Sequence, residues 1–403
     1  MLVKEARFQI PALALLSLSL LLAVVSLHNR RLSTRQDLLI PGVCLFVQWI
    51  VLAALMRALV PHFFWLAAVA PVVVVFRRLR EGKLAYLLVA AHFLIGLAFI
   101  QFAGVPKFDI YVFQRDAAAA LLSGTNPYSI TFPNIHHPYT GFYAPEFVQG
   151  ARVTAGFPYL PASLLMALPG FLLGDVRLSH LAATSLSGAL MLSMSRQPLA
   201  RLAVVLFLFS PVTFWIVAIG WTEPLLLVLL AGAGWAYRRS SVVLGAILFG
   251  VLLAAKQYIV LVTPLIALLP LPHPRRALFT ASLCGILLVA PFALADIHGF
   301  FRATVWWQFA QPFRPDSLSF AALIASLGGP RIAWLNFLAF PLAVLFLIRR
   351  CPRTLAGLLT AVSVAYFVFF ILAKQAFLNY YFLVFGTLCC AIAMAEPSPG
   401  DRP

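Results

Sequence analysis

Charge is what this 403-residue sequence has least of: 10% of its residues are charged while 63% are hydrophobic, and mean hydropathy is +0.97. That balance excludes an ordinary soluble domain and implies an integral membrane protein. Acid is scarcer than base, with 12 Asp and Glu against 29 Lys and Arg, and only five of the basic residues are lysines. The cysteines, Cys44, Cys284, Cys351, Cys389 and Cys390, fall in apolar runs or a short basic loop, so neither a disulfide framework nor a zinc spacing is implied. No P-loop and no GxGxxG occurs, which leaves nucleotide hydrolysis without a visible site. No long internal repeat is detectable, which weakens a secondary-transporter reading. No N-x-S/T sequon with a permitted middle residue is present, compatible with a bacterial plasma membrane.

What the chain does have is a succession of apolar runs. Runs of roughly 17 to 25 residues can cross a bilayer as helices, whose backbone groups are satisfied internally where no water is available. Spans are predicted near 8–28, 38–58, 61–76, 85–104, 179–195, 202–219, 222–237, 242–255, 258–271, 277–295, 331–348, 354–373 and 380–395. The expected fold class is all-α and polytopic, with about 11 to 13 transmembrane helices. The first run is long and meets no small-residue cleavage site before His28, Asn29 and Arg30, so it reads as a retained helix rather than a signal peptide. Residues 1–84 form an N-terminal group of helices and residues 85–403 the main membrane domain.

Basic residues orient such a protein, because short cytoplasmic loops collect Lys and Arg. The clusters Arg30/Arg31/Arg35, Arg77/Arg78/Arg80/Lys83, Arg196/Arg201, Arg238/Arg239, Arg275/Arg276 and Arg349/Arg350/Arg353 are all expected inside. A full span at 158–173 would put neighbouring clusters on opposite sides, so PYLPASLLMALPGFLLG, with Pro158, Pro161 and Pro169, reads as an interfacial or re-entrant helix. The net charge of +17 is explained by this pattern and by attraction to anionic lipid, without nucleic acid.

With the arginines inside, Asp109, Asp116, Glu146, Asp175, Glu223, Asp296 and Asp316 sort to the outer face. Two long outer loops, 105–178 and 296–317, hold most of them, and loops of such length are functional or disordered. The first is rich in Pro, Tyr, Phe and His, which suits a folded lid or cavity wall; in the second, Trp306 and Trp307 are expected at the membrane interface. The densest polar segment is KFDIYVFQRDAAAALLSGTNPY, 107–128. Asp109 either caps a helix beginning near Ile110 or acts chemically. Asp116 lies two turns further, about 10 Å along the axis, and is expected to pair with Arg115 or a loop arginine. His136 and His137 are adjacent, which makes no chelating pair, and hydrated surface positions are expected for them. Lys107, Lys256 and Lys374 fall at outer helix ends, either snorkelling to headgroups or, with Arg314, holding a phosphate. Glu223 in GWTEP is either an N-terminal helix acid or a group that orients an acceptor. Asn379, Tyr380 and Tyr381 line a pocket or anchor the last helix.

The segment FDIYVFQRDAAAALLSGTNPY resembles the first outer-loop motif of polyprenol-phosphate-dependent mannosyltransferases of the GT-C superfamily, especially bacterial family 87. The likeness continues in order through PYLP (158–161), GWTEPLLL (220–227), GAILFGVLLAAKQYIVLVTPL (245–265), QPFRPDSLS (311–319) and KQAFLNYYFL (374–383). Two departures stand out: Tyr159, Leu160 and Pro161 replace a YPP pattern, and Glu223 replaces a polar GQ-type turn.

The resemblance implies a multi-pass protein of the bacterial inner membrane that moves a hexose, mannose in the family, from a polyprenyl-phosphate donor to a lipid-linked or surface glycan acceptor. The active site would face the extracytoplasmic side. It also implies inversion at the sugar carbon with a first-loop carboxylate as base, a position that Asp109 matches, with Asp116 second. Cations would stabilise the departing phosphate, Arg314 and Lys256 before Lys107. Tyr111, Arg115, Asn126, Tyr128, Tyr159, Glu223, Gln257, Asp316, Lys374, Asn379 and Tyr380 fall in the same segments and are the remaining substrate-binding candidates. No cofactor or metal is expected, since the lipid-phosphate sugar is itself a substrate. The competing class is a lipid or solute translocator, which would need ionisable groups at mid-membrane; here the acids lie at helix ends and in loops.

Overall fold

A computed structural model describes residues 13–22, 43–44, 46–51, 82–137, 141–194 and 198–395. The expected span at 61–76, most of those at 8–28 and 38–58, the clusters Arg30/Arg31/Arg35 and Arg77/Arg78/Arg80, and Arg196 lie outside the described residues.

The chain is mostly helical. Among the described residues, two helices, Leu84–Ala103 and Pro274–Ala295, are long and apolar enough to cross a membrane by themselves, and up to four crossings result if each of two bent helix pairs counts as one. Shorter apolar helices, among them Val242–Leu253, Leu355–Ile371 and Leu378–Met394, complete the bundle. Proline starts many of them: Pro161, Pro211, Pro224 and Pro274 occupy first-turn positions, where a missing N–H costs nothing and the fixed φ favours the helix.

Proline also accounts for two departures from the expected spans. The run at 202–219 is a broken pair, Leu199–Leu208 and Pro211–Ile219, bent by 45° where Pro211 can neither donate to the ladder nor clear the preceding turn. The run at 258–271 is a 3₁₀ helix, Gln257–Leu268, with Pro264 inside it. The segment expected to be re-entrant forms the helix Pro161–Leu172, which meets Arg177–Met194 at 108°.

The long loop 105–178 is a folded unit. It contains the helix Asp109–Leu122, a 3₁₀ turn at Pro145–Phe147 and a small antiparallel sheet of three two-residue strands, with Arg152–Val153 central between Phe132–Pro133 and Val148–Gln149. These elements close over an aromatic core of Phe113, Phe132, Tyr143, Phe147 and Phe157. Trp307 belongs to that core at 7% exposure, whereas its neighbour Trp306 is 51% exposed, so only one of the two tryptophans expected at an interface is on the surface. Arg302 ties the second loop to the first: its guanidinium donates to the carbonyls of Glu146 and Thr154 and lies 4.5 Å above the Phe147 ring centre.

The helical bundle has two chemically different ends. At one, Glu223, Lys256 and Asn379 meet. At the other, Arg238 donates to the carbonyl of Met394, and Tyr237 packs in a cluster with Leu269, Ala277 and Leu355. The basic runs 238–239, 275–276 and 349–353 therefore gather near the second end, and the described carboxylates near the first.

Candidate functional site

Asp109 is the first residue of the helix 109–122, so its carboxylate sits in the first turn, where the helix dipole favours negative charge. One oxygen, Oδ1, accepts the N–H of the next residue, Ile110, at 2.8 Å; the other, Oδ2, accepts the Tyr143 hydroxyl at 3.0 Å. Each oxygen keeps a second lone pair. Burial first, then the Asp109 charge and this hydrogen bond, push the Tyr143 phenol far above its ordinary value, so it remains a neutral donor to the carboxylate.

Around this pair lies an aromatic and basic wall. His136 stacks on Phe142 with ring centres 3.4 Å apart, and Arg314 covers Phe142 at 4.2 Å and Phe377 at 5.2 Å. Arg314 grips Asp316 through Nε and Nη2, at 2.8 and 2.7 Å. Burial alone would raise the Asp316 carboxyl, but the Arg314 bonds and charge outweigh it and hold the group below its usual value. His136 was expected to be hydrated surface; it is half-buried, and burial lowers its pKa against the opposing pull of Asp109. The stack on Phe142 explains the difference, since a planar imidazole loses little by covering an aromatic face.

A second carboxylate station is fully buried. Glu223 opens the helix 223–238 with 0% exposure, and its Oε1 accepts from Lys256 Nζ at 2.5 Å, Asn379 Nδ2 at 2.8 Å and the Tyr258 hydroxyl at 3.2 Å. Lys256 also donates to Thr222 Oγ1 at 3.0 Å and is ringed by Tyr159, Tyr258 and Tyr380, at 5.0, 5.3 and 5.7 Å from the ring centres. Lys256 is thus no snorkelling residue: it is buried and ion-paired, because a desolvated carboxylate needs a cation. Tyr159 links the stations. Its ring lies 5.0 Å from the Lys256 ammonium, and, after burial, the charges of Asp109, Tyr380 and Glu223 raise its phenol.

Below this second station runs a narrow apolar cleft between helices, part of it open to the surroundings. Leu226, Leu230, Ala233 and Tyr237 line it at helical spacing down the 223–238 helix, facing Ile259 and Tyr366. Eleven residues of rise make that wall about 16 Å long. The Tyr366 and Tyr258 ring centres are 5.5 Å apart, so the cleft begins beside the Glu223 cluster.

Other sequence candidates have structural tasks. Asp116 pairs with its neighbour Arg115 at 2.7 Å. Tyr111 is buried under the Arg177 guanidinium, 5.4 Å from its ring centre. Asn126 closes an Asx turn onto the Tyr128 N–H, and the buried Tyr128 donates to the Tyr159 carbonyl. Gln257 donates to the carbonyls of Pro158 and Thr304, and Lys374 to those of Phe309 and Gln311. Lys107 is exposed. The sequence reading passed over Tyr143, Phe142, Tyr258, Thr222 and Arg302; only the proximity of Tyr258 to Lys256 in KQY was a signal. Among the described residues, no group of three or more His, Cys, Asp or Glu could hold a metal ion. Compared with known proteins, the chain matches no family model, no curated sequence and no solved structure.

Proposed function

We propose that this protein is a multi-pass membrane glycosyltransferase of the GT-C type that transfers a hexose, mannose by resemblance, from a polyprenyl phosphate to a lipid-linked or surface glycan acceptor. The observation that carries the reading is the coupling of two features at the acidic end. A carboxylate held by Tyr143 stands beside a basic aromatic wall, and an apolar cleft descends from the same region between helices. A lipid-phosphate sugar has that division: a long apolar tail, one anionic phosphate and a polar ring at the junction.

On this reading the acidic end is extracytoplasmic and the arginine end cytoplasmic, in a bacterial inner membrane. The acceptor hydroxyl gives its proton to Asp109 as its oxygen attacks the anomeric carbon. The bond to the phosphate breaks with its electrons leaving on the phosphate oxygen, and the sugar carbon inverts. Phosphate is a good leaving group, so cation stabilisation matters more than acid help. Arg314 suits that role: Asp316 occupies Nε and one Nη2 hydrogen, which leaves the Nη1 side of the planar fork for phosphate oxygens. Lys256 organises Glu223 instead.

The test is sugar transfer from polyprenyl-phosphate mannose by purified, equally monodisperse variants in lipid nanodiscs. Asp109→Asn keeps the side-chain shape but cannot take the proton, and transfer is expected to fall about a hundredfold to ten-thousandfold. Asp116→Asn is expected to cost less, since it pairs with Arg115. Near-normal transfer by Asp109→Asn overturns its role as base.

A further inference from the structure

The chain leaves the helix Pro274–Ala295 at Asp296, whose φ of −158° and ψ of 89° are not helical, and turns into a second helix at once. Asp296 caps the new helix by accepting the Gly299 N–H at 2.9 Å. Residues 297–310 run on with a π turn, Arg302–Trp306, between two α-helical stretches.

The π turn decides which side chains share a face. At about 100° per residue, an unbroken α-helix would set Trp306 opposite Ile297. A π turn takes up one extra residue, which brings Ile297, Phe301, Trp306 and Phe309 within about a third of the circumference. All four are more than half exposed, whereas Ala303, Thr304 and Trp307, on the other side, are buried. That buried side grips the acidic end of the molecule. Arg302 donates to the carbonyls of Glu146 and Thr154, and the Thr304 carbonyl accepts the Gln257 amide. The Trp307 ring centre lies 5.5 Å from that of Tyr143, the residue that holds Asp109.

Four large apolar side chains on one face need a cover, and the edges of the face say what it is. At its start the face continues from Leu294, 81% exposed in the last turn of Pro274–Ala295, a helix long and apolar enough to cross a membrane. At its end Phe309 stacks on Phe337, with ring centres 6.2 Å apart, beside the exposed Trp334 that precedes the helix Leu335–Arg350. Leu338, Leu342 and Leu345 are exposed further along that helix. The face thus merges with two apolar outer surfaces, where a soluble partner's site would carry a polar rim. Tryptophan at such a junction is what a bilayer interface favours. We infer that residues 297–310 form an amphipathic helix lying in the headgroup region of the membrane, its π turn sending Trp306 into lipid and Trp307 into the protein, and that this helix seats the folded loop 105–178 on the bilayer. Nothing in it depends on sugar transfer.

The test places a bimane fluorophore at Phe301→Cys, Trp306→Cys or Phe309→Cys in the full-length protein freed of its native cysteines, with the exposed loop position Gln149→Cys as the reference in water. The protein is held in nanodiscs of phosphatidylcholine and phosphatidylglycerol. At the three helix positions most of the fluorescence is expected to be lost when the acyl chains carry bromine, more so with bromine near the headgroup than near the chain end. Iodide in the water is expected to quench position 149 alone. Equal iodide quenching at all four positions puts the face in water and overturns the inference. Absence of lipid quenching together with cross-linking between two copies through position 309 assigns the face to a second copy and overturns it too. If the cysteine-free protein folds poorly, the emission that brominated lipid quenches in wild type and not in Trp306→Phe reads the same outcomes.

Seating is read separately by hydrogen exchange. Phe301→Gln/Trp306→Gln alters only exposed side chains. It is expected to cost amide protection over residues 147–154, where the Thr154 N–H bonds the Phe147 carbonyl, and to leave the helix Leu378–Met394 unchanged. Protection that stays the same over 147–154, or falls equally in both regions, overturns the seating role.

Discussion

At the scale of single residues, the ion pairs differ in what surrounds them. Lys256 and Glu223 have side-chain exposures of 5% and 0%, so removing one partner strands a buried charge. Lys256→Met is expected to destabilise the protein by about 3 to 5 kcal/mol, and Lys256→Met/Glu223→Gln to recover most of that loss, both read as shifts in denaturant or thermal midpoint in detergent. If the double variant is no better than the single, the pair is not acting as one unit. Asp316 offers a pH test. Its folded value is depressed by Arg314, so its contribution is fully present above the ordinary carboxylate value of about 3.9 and fades as pH falls through the lower folded one. The midpoint difference between wild type and Asp316→Asn is expected to be constant at pH 5 to 7 and to shrink below pH 4; a difference that already shrinks at pH 6 assigns the effect to another group. Of the site itself, Asp109, Glu223, Lys256, Arg314 and Asn379 were legible in the sequence, because charged or amide groups beside apolar runs are rare enough to notice. Tyr143 and Phe142 were not, since an aromatic residue in an aromatic-rich loop looks like all the others.

At the scale of elements, the loop 105–178 positions Asp109, and its turns are more demanding than its short strands. Gly150 and Gly156 both have positive φ, at +56° and +70°, where any side chain is strained. They differ in space: a Cβ at Gly150 meets nothing within 4 Å, while one at Gly156 lies 2.3 Å from the Tyr128 carbonyl oxygen. Gly150→Ala is expected to cost about 1 kcal/mol, the conformational term alone. Gly156→Ala is expected to cost clearly more and to lower transfer, because Tyr128 bonds the Tyr159 carbonyl and its displacement moves the wall of the site. Thermal midpoints of the two variants decide it, and equal shifts remove the steric argument. A similar close approach fixes the crossing of Val242–Leu253 with Pro274–Ala295, where a Cβ on Gly250 would meet the Ala281 carbonyl oxygen at 2.5 Å.

At the scale of the whole molecule, the separation of arginines from carboxylates makes a prediction about sidedness. Single cysteines at Arg239 and Gln149, both exposed, in a background without the native cysteines, are expected to react differently with an impermeant maleimide added to intact cells. Position 149 should label from outside, and position 239 only after permeabilisation. Labelling of position 239 in intact cells would overturn the proposed orientation.

The sequence by itself determined that the chain is helical, where its basic clusters fall and which few acids are available for chemistry, because apolar run length and charge scarcity are local properties that no neighbour can alter. Local rules also set the Arg115–Asp116 pair, one residue apart. Only the tertiary structure decided that Lys256 serves Glu223, that Trp307 is core while Trp306 is surface, and that Tyr143 reaches Asp109 across 34 positions. Those outcomes depend on which distant backbone arrives beside a side chain and how much water it expels. A linear pattern records neither, so the partners of a polar group at a helix end stay open until the loop above it has folded.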